Sequence, residues 1–317
     1  MIGRPAWPKT DPRRPEGRDD EGMRPTLTET GLGPGKKARL HRMLFRHGLG
    51  NGTALFLPYD QGLEHGPRDF APNPAAADPR YIIRLAIEGG FNGIAVQIGV
   101  AEKFFWDYAG EVPLILKLNG KTDIPPDTEA FSPLHATVED AVRLGADAVG
   151  YTLYVGSPAA PADFAQLRAV RQDAHRLGLP LIVWAYPRGS AVDAKGGKES
   201  FYQIEYATRV AAELGADVVK VNFPRPDRRT GVPAPYDREV SPQEAVSAVV
   251  RSAGRALVLL SGGEKAPDEE ILDRAREAME AGATGFIFGR NVWQRDHDES
   301  LRFAARLRDI LAKYPGQ

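Results

Sequence analysis

Eight apolar runs of strand length recur along the chain, at residues 55–60, 93–98, 114–118, 148–154, 181–186, 218–223, 256–260 and 285–288. Between and after them lie segments whose apolar residues repeat with helical period, clearest at 78–88, 137–144, 161–177, 200–214, 241–252, 267–281 and 298–311. The segment around 102–108 is shorter and aromatic. Three helices enter the next strand through near-identical turns, Leu144-Gly145-Ala146-Asp147, Leu214-Gly215-Ala216-Asp217 and Ala281-Gly282-Ala283-Thr284. Glycine there supplies a left-handed cap, and the repeat of the turn implies a repeat of the strand–helix unit. Eight such units favour a closed parallel sheet over an open one, so the pattern predicts an α/β fold, a (β/α)8 TIM barrel. An amphipathic segment at 34–47 predicts an N-terminal helix before the first strand, placed to plug the bottom of the barrel.

At 317 residues the chain suits one barrel domain, expected over 26–317. Residues 1–25 are rich in Pro, Arg, Asp and Gly and read as a disordered leader, with Met23 an alternative start. Basic and acidic residues number 41 and 42, which gives no electrostatic reason to expect nucleic acid as a partner. No apolar stretch is long enough to span a membrane, and no secretory signal is legible. The absence of cysteine excludes disulfides, thiolate metal sites and cysteine nucleophiles, and fits a cytoplasmic protein.

The sixth strand is interrupted by a charge: Ala216-Asp217-Val218-Val219-Lys220-Val221-Asn222-Phe223. Side chains alternate across a strand, so Val218, Lys220 and Asn222 share one face while Val219, Val221 and Phe223 share the other. A lysine amongst valines loses water, desolvation disfavours its ammonium, and a neutral amine attacks carbonyl carbon. The competing reading is a lysine paired with a carboxylate or reaching to the rim.

Chemistry in such barrels sits at the carboxyl ends of the strands. The first strand ends in Asp60-Gln61-Gly62-Leu63-Glu64-His65-Gly66, with Asp60 on the face of Phe56 and Pro58. The third carries Lys117 and Asn119 inward, and the fifth carries Trp184, Tyr186 and Arg188. After the seventh and eighth strands come Ser261-Gly262-Gly263-Glu264-Lys265 and Gly289-Arg290-Asn291. Glycines there let backbone N–H groups approach a phosphate, with Arg290 adding charge. The six histidines show neither HxH nor HxxH spacing, so no metal site is expected, and His65 is expected to order the first loop through a nearby carboxylate. The basic loop at 224–241, with Arg225, Arg228 and Arg229, reads equally as a binder of a second phosphate or as a solvated flap.

Taken together, the Asp60 to Gly66 run, Trp184-Ala185-Tyr186-Pro187-Arg188-Gly189, Val219-Lys220-Val221, Ser261-Gly262-Gly263 and Gly289-Arg290-Asn291 resemble the DhnA-type, or archaeal-type, class I fructose-bisphosphate aldolases over residues 28–312. That resemblance implies a metal-independent lyase without cofactor, acting on a phosphorylated sugar. Lys220 would form the Schiff base, Tyr186 would carry protons, and Asp60 would assist carbinolamine turnover. Trp184, Arg188, Lys117, Ser261, Gly262, Gly263, Gly289 and Arg290 would contact substrate. A negative Asp60 would raise the Lys220 pKa, so Arg290 and other cations are expected to keep the amine reactive. Glu264 departs from the family's usual residue, which leaves the role of Lys265 open. A homo-oligomer is also implied, weakly supported by Phe104, Phe105, Trp106 and Tyr108. Alternatives are an amino-dideoxy-heptulosonate synthase or phospho-autoinducer thiolase of the same superfamily and, from another class, a non-catalytic phosphometabolite-binding barrel.

Overall fold

The computed structural model describes residues 24–227, 229–263 and 265–316. Residues 1–23, which include all but the last two positions of the expected leader 1–25 and the alternative start Met23, lie outside the described residues, as do Arg228, Glu264 and Gln317; Arg24, expected in the leader, instead donates to the Tyr314 carbonyl. Eight strands, β1 Ala54–Tyr59, β2 Gly93–Gln97, β3 Leu114–Lys117, β4 Ala148–Val155, β5 Leu181–Pro187, β6 Val218–Asn222, β7 Leu257–Ser261 and β8 Gly285–Ile287, close in chain order into a parallel barrel. The expected helices all form. The second begins earlier than its aromatic residues suggest: it runs Ile98–Phe104 directly off β2, and a separate single turn holds Trp106–Tyr108.

Strand parity builds two cores. Inward residues Phe56, Ala95, Ile115, Ala148, Ile182, Val218, Leu257 and Ile287 pack inside the barrel, while Val219, Val221 and their equivalents pack against the surrounding helices. Leu40, Met43 and Leu44 of the N-terminal helix Pro34–Phe45 join the inner core, so the helix plugs the barrel from below. Local chemistry sets the helix boundaries. Thr137, Ser200, Ser241 and Asp296 each accept a backbone N–H from the first helical turn, and Gly145, Gly215 and Gly282 take φ of 69°, 97° and 90° at the repeated turns.

The repeated turn does a second job. Its acid sits at the amino end of the following strand, facing the plug: Asp217 accepts from Lys36 Nζ at 2.7 Å, and Asp147 accepts from Arg42 Nε at 2.6 Å. Asp217 also accepts from the Leu181 backbone N–H at 2.7 Å. Both Lys36 and Asp217 are buried. Removing one member of such a pair strands the other charge in low dielectric, so Asp217→Ala is expected to cost about 3–5 kcal/mol in urea unfolding. A loss below about 1 kcal/mol, the ordinary worth of an exposed pair, would show that the plug is held by its leucines alone.

Candidate active site

The carboxyl ends of the strands surround a cavity of about 300 Å³. β6 brings Lys220 into it, beside Trp184 in the neighbouring register position, and Tyr186 follows two residues along β5. Lys220 Nζ donates to the Tyr186 hydroxyl and lies 4.2 Å from that ring's centroid. Tyr154, paired with Tyr186 across β4 and β5, stacks on it at 6.5 Å. The alternation of apolar and polar residues on these strands thus converts directly into a wall with one amine and two phenols. Asp60, Glu64, Arg188, Asn222, Ser261, Gly262, Gly263, Gly289 and Arg290 line the same cavity.

Lys117 is placed differently from its expected substrate contact. Its side chain is 0% exposed and stands behind the wall, with Nζ 4.4 Å from the Trp184 ring centroid. Nζ donates to Thr152 Oγ1 at 2.6 Å and Glu64 Oε1 at 3.2 Å and lies 3.3 Å from Asp60 Oδ2. The cation between these two carboxylates is therefore an ammonium, and among the described residues no three His, Cys, Asp or Glu side chains converge as a metal site. Asn119 also serves the framework: its amide donates to the Ser132 and Thr152 carbonyls and accepts from the Thr152 N–H, extending the link between β3 and β4.

Burial dominates the electrostatics. Desolvation lowers the Lys220 pKa to about 7, against the opposing pull of Asp60 and Glu64 and with help from Lys117 and Arg188. The helping cations are thus not Arg290, whose guanidinium reaches instead toward the Gly263 carbonyl at 3.2 Å and Asp69 at 3.9 Å. Desolvation, then the charges of Glu64 and Asp60, push the Tyr186 phenol well above its usual range, so it rests protonated. Burial also raises Glu64, with Lys117 pulling the other way.

The opposite end of the cavity is built from the two glycine-containing loops. Gly263 has φ of +63°, and a Cβ at Gly289 would meet the Pro58 backbone oxygen at 3.1 Å, so both positions favour bare backbone. Asn291 Nδ2 donates to the Gly262 carbonyl at 3.3 Å, tying one loop to the other. Ser261 Oγ donates to Asn222 Oδ1 at 2.6 Å, bringing the end of β7 to β6. His65 pairs through Nδ1 with Asp69 at 2.8 Å, so the first loop is ordered by a carboxylate as expected. Lys265 is exposed and outside the cavity wall. In the basic loop, Arg225 pairs with Glu199 and Arg229 with Asp227, each at 2.7 Å.

At the mouth, the segment between β3 and β4 contributes Lys121 and Asp127, which sequence reasoning did not single out. Asp127 bridges Arg188 at 2.9 Å and Lys121 at 3.0 Å. Glu64 and Tyr154 also belong to the site without having been assigned a role. Glu64 was visible only as part of a motif, and Tyr154 was visible only through its parity on β4.

A buried strand lysine of lowered pKa touching a protonated phenol, beside an anion-compatible glycine cradle, defines a barrel built for imine chemistry on an anionic carbonyl compound. The chain belongs to the DeoC/LacD family of aldolases, whose model matches residues 54–295. It is 44% identical over 261 residues to the class 1 fructose-bisphosphate aldolase of Thermoproteus tenax, covering 82% of this chain and 90% of that one. A solved archaeal fructose-1,6-bisphosphate aldolase, with its catalytic lysine covalently bound to the carbinolamine intermediate, is 41% identical with a TM-score of 0.74, over 86% of this chain and 98% of that one. The 2-amino-3,7-dideoxy-D-threo-hept-6-ulosonate synthase of Halobacterium salinarum is 34% identical, over 82% of this chain and 86% of that one.

The amine at position 220 is nucleophilic only when unprotonated. Trace acetylation followed by peptide mass spectrometry is expected to show its reactivity half-maximal near pH 7, falling below that and level above it. A midpoint near the ordinary lysine value of 10.5 would mean that the carboxylates outweigh desolvation.

Proposed function

We propose that this protein is a class I fructose-bisphosphate aldolase that reversibly cleaves fructose 1,6-bisphosphate to dihydroxyacetone phosphate and glyceraldehyde 3-phosphate. The observation that carries the reading is Lys220, a buried strand lysine whose pKa is lowered to about 7 and which touches Tyr186. The covalent carbinolamine in the archaeal relative supports the same chemistry.

The steps balance around one proton on Tyr186. Neutral Lys220 attacks C2 of the ketose, and the proton passes from nitrogen to oxygen to give the carbinolamine. Tyr186 then gives its proton to the departing hydroxyl, so that water leaves and an iminium remains. The phenolate, otherwise disfavoured by burial and by Glu64 and Asp60, is stabilised by the cation that has just formed beside it. It takes the C4 hydroxyl proton as the C3–C4 bond breaks, and the bonding electrons flow into the iminium to leave a neutral enamine. The reloaded phenol protonates C3, and water, yielding its proton to Tyr186, releases the ketone and the amine. Asp60 holds substrate hydroxyls and assists carbinolamine turnover, and Trp184 walls the pocket. Ser261, Gly262, Gly263, Gly289 and Arg290 bind the phosphate next to C1, while Arg188 orients the far half of the chain.

The reading is of a cytoplasmic homo-oligomer; of the aromatic residues expected to support it, Trp106 is exposed, Phe104 and Tyr108 are half-buried and Phe105 is buried. No helix among the described residues is long and apolar enough to cross a membrane. A heptulosonate synthase reading is favoured only by the 34% identical relative and is separated by assaying both substrates.

Incubation with dihydroxyacetone phosphate and borohydride is expected to leave a stable adduct on Lys220 that Lys220→Ala abolishes. Tyr186→Phe should slow the formation of the adduct and lower kcat by about 100-fold or more, the ordinary contribution of a general acid–base group. Trapping and turnover at the rates of the unmodified protein would remove Tyr186 from the proton relay.

A further inference from the structure

The ion pairs at the cavity mouth are unequally built. Lys121 and Arg188 have side chains only 11% and 18% exposed, whereas Asp127 between them is 46% exposed. The cations are held in the wall, and the carboxylate approaches from the solvent side on a single 3-10 turn, Asp127–Glu129. Lys198 adds a third positive charge in reach: it, Arg188 and Lys121 together hold the Asp127 carboxyl below its usual range although burial pushes the other way. Asp127 is thus the carboxylate shared by Arg188 and Lys121, while Asp123 and Glu199 also line the cavity.

The same cations face the reacting centre. Arg188 Cζ lies 5.1 Å from the centroid of the Tyr186 ring, and Lys220 Nζ lies 4.2 Å from it, so both lie against the same ring. Lys121, Arg188 and Lys198 line the cavity that holds Lys220.

We infer that Asp127 is an internal competitor for the far phosphate of a two-phosphate ketose, and so sets how strongly the enzyme prefers two-phosphate over one-phosphate substrates. The inference rests on the aldolase reading. A phosphate dianion brings twice the charge of the carboxylate and three acceptor oxygens to the same donors, so it displaces Asp127. A hydroxymethyl end carries no charge and leaves Asp127 on Arg188 and Lys121. Because two ion pairs are given up when the far phosphate binds, Asp127 weakens the hold on that phosphate and helps the phosphorylated aldehyde to leave. Arg68 and Asp123, paired at 2.6 Å, tether the same segment from the first loop, so it can release Asp127 without detaching.

Asp127→Asn keeps the shape and a neutral acceptor but removes the charge. The ratio of kcat/KM for fructose 1,6-bisphosphate to that for fructose 1-phosphate is expected to rise about fivefold, the worth of two partly exposed ion pairs. Asp127→Glu, which restores the charge, should return the ratio toward that of the unmodified protein. A ratio that stays constant or falls in Asp127→Asn overturns the inference, since Asp127 would then be either a bystander or a group that positions the cations for phosphate. Calorimetric titration with inorganic phosphate separates this from failure of the aldolase reading. If neither ketose is cleaved and no borohydride adduct forms, tighter phosphate binding by Asp127→Asn still supports the competition, and equal or weaker binding rejects it.

Discussion

A lysine inside a barrel is useful only if it is kept largely neutral without being isolated from charge, and the arrangement around Lys220 depends on that balance. Burial supplies the larger push, while Asp60 and Glu64 oppose it. Desolvation outweighs the two carboxylates, and Lys117, sunk behind Trp184 and hydrogen-bonded to Thr152 and Glu64, adds to it. A buried cation unable to reach the ligand thereby tunes one that can. The same cluster anticipates the reaction's change of charge. When the amine becomes an iminium, a positive charge stands where a neutral group stood, and Asp60 and Glu64 are the carboxylates whose charges favour it.

Much of this architecture was legible because strands and helices write their periods into the chain. The eight strands are found within one or two residues of their expected bounds, and the inward set Asp60, Trp184, Tyr186, Lys220 and Asn222 follows from parity alone. Parity gives direction but not depth. It put Lys117 and Asn119 on the correct face without telling that one lies wholly behind the wall and that the other is consumed by backbone groups. Depth depends on neighbouring strands, chiefly on the indole of Trp184 one strand position away from Lys220.

What sequence reasoning missed lies where periodicity is absent. Glu64 stands in a single helical turn after β1, and Asp127 opens a single 3-10 turn between β3 and β4. Their partners, Lys117 and Arg188, come from other strands, and such pairings have no local signature. The helix off β2 shows the converse limit: its aromatic residues drew attention to 102–108, although the chain was already helical from Ile98, where Gly99 and Val100 give a weak signal.

The N-terminal helix seals the floor, clasped by Asp147 and Asp217 from below the strands they introduce. The vessel is therefore a cup and not a tube. Whatever is bonded to Lys220 sits at the bottom, and the fragment nearer the rim stands between it and water. Traffic through a single opening has an order built into it: the aldehyde must depart before the half that remains covalently held, and in the reverse direction it must arrive last. Sequence of entry and exit is then a property of topology, imposed by the packed side chains, Phe56, Ile182 and Ile287 among them, that fill the barrel beneath Lys220.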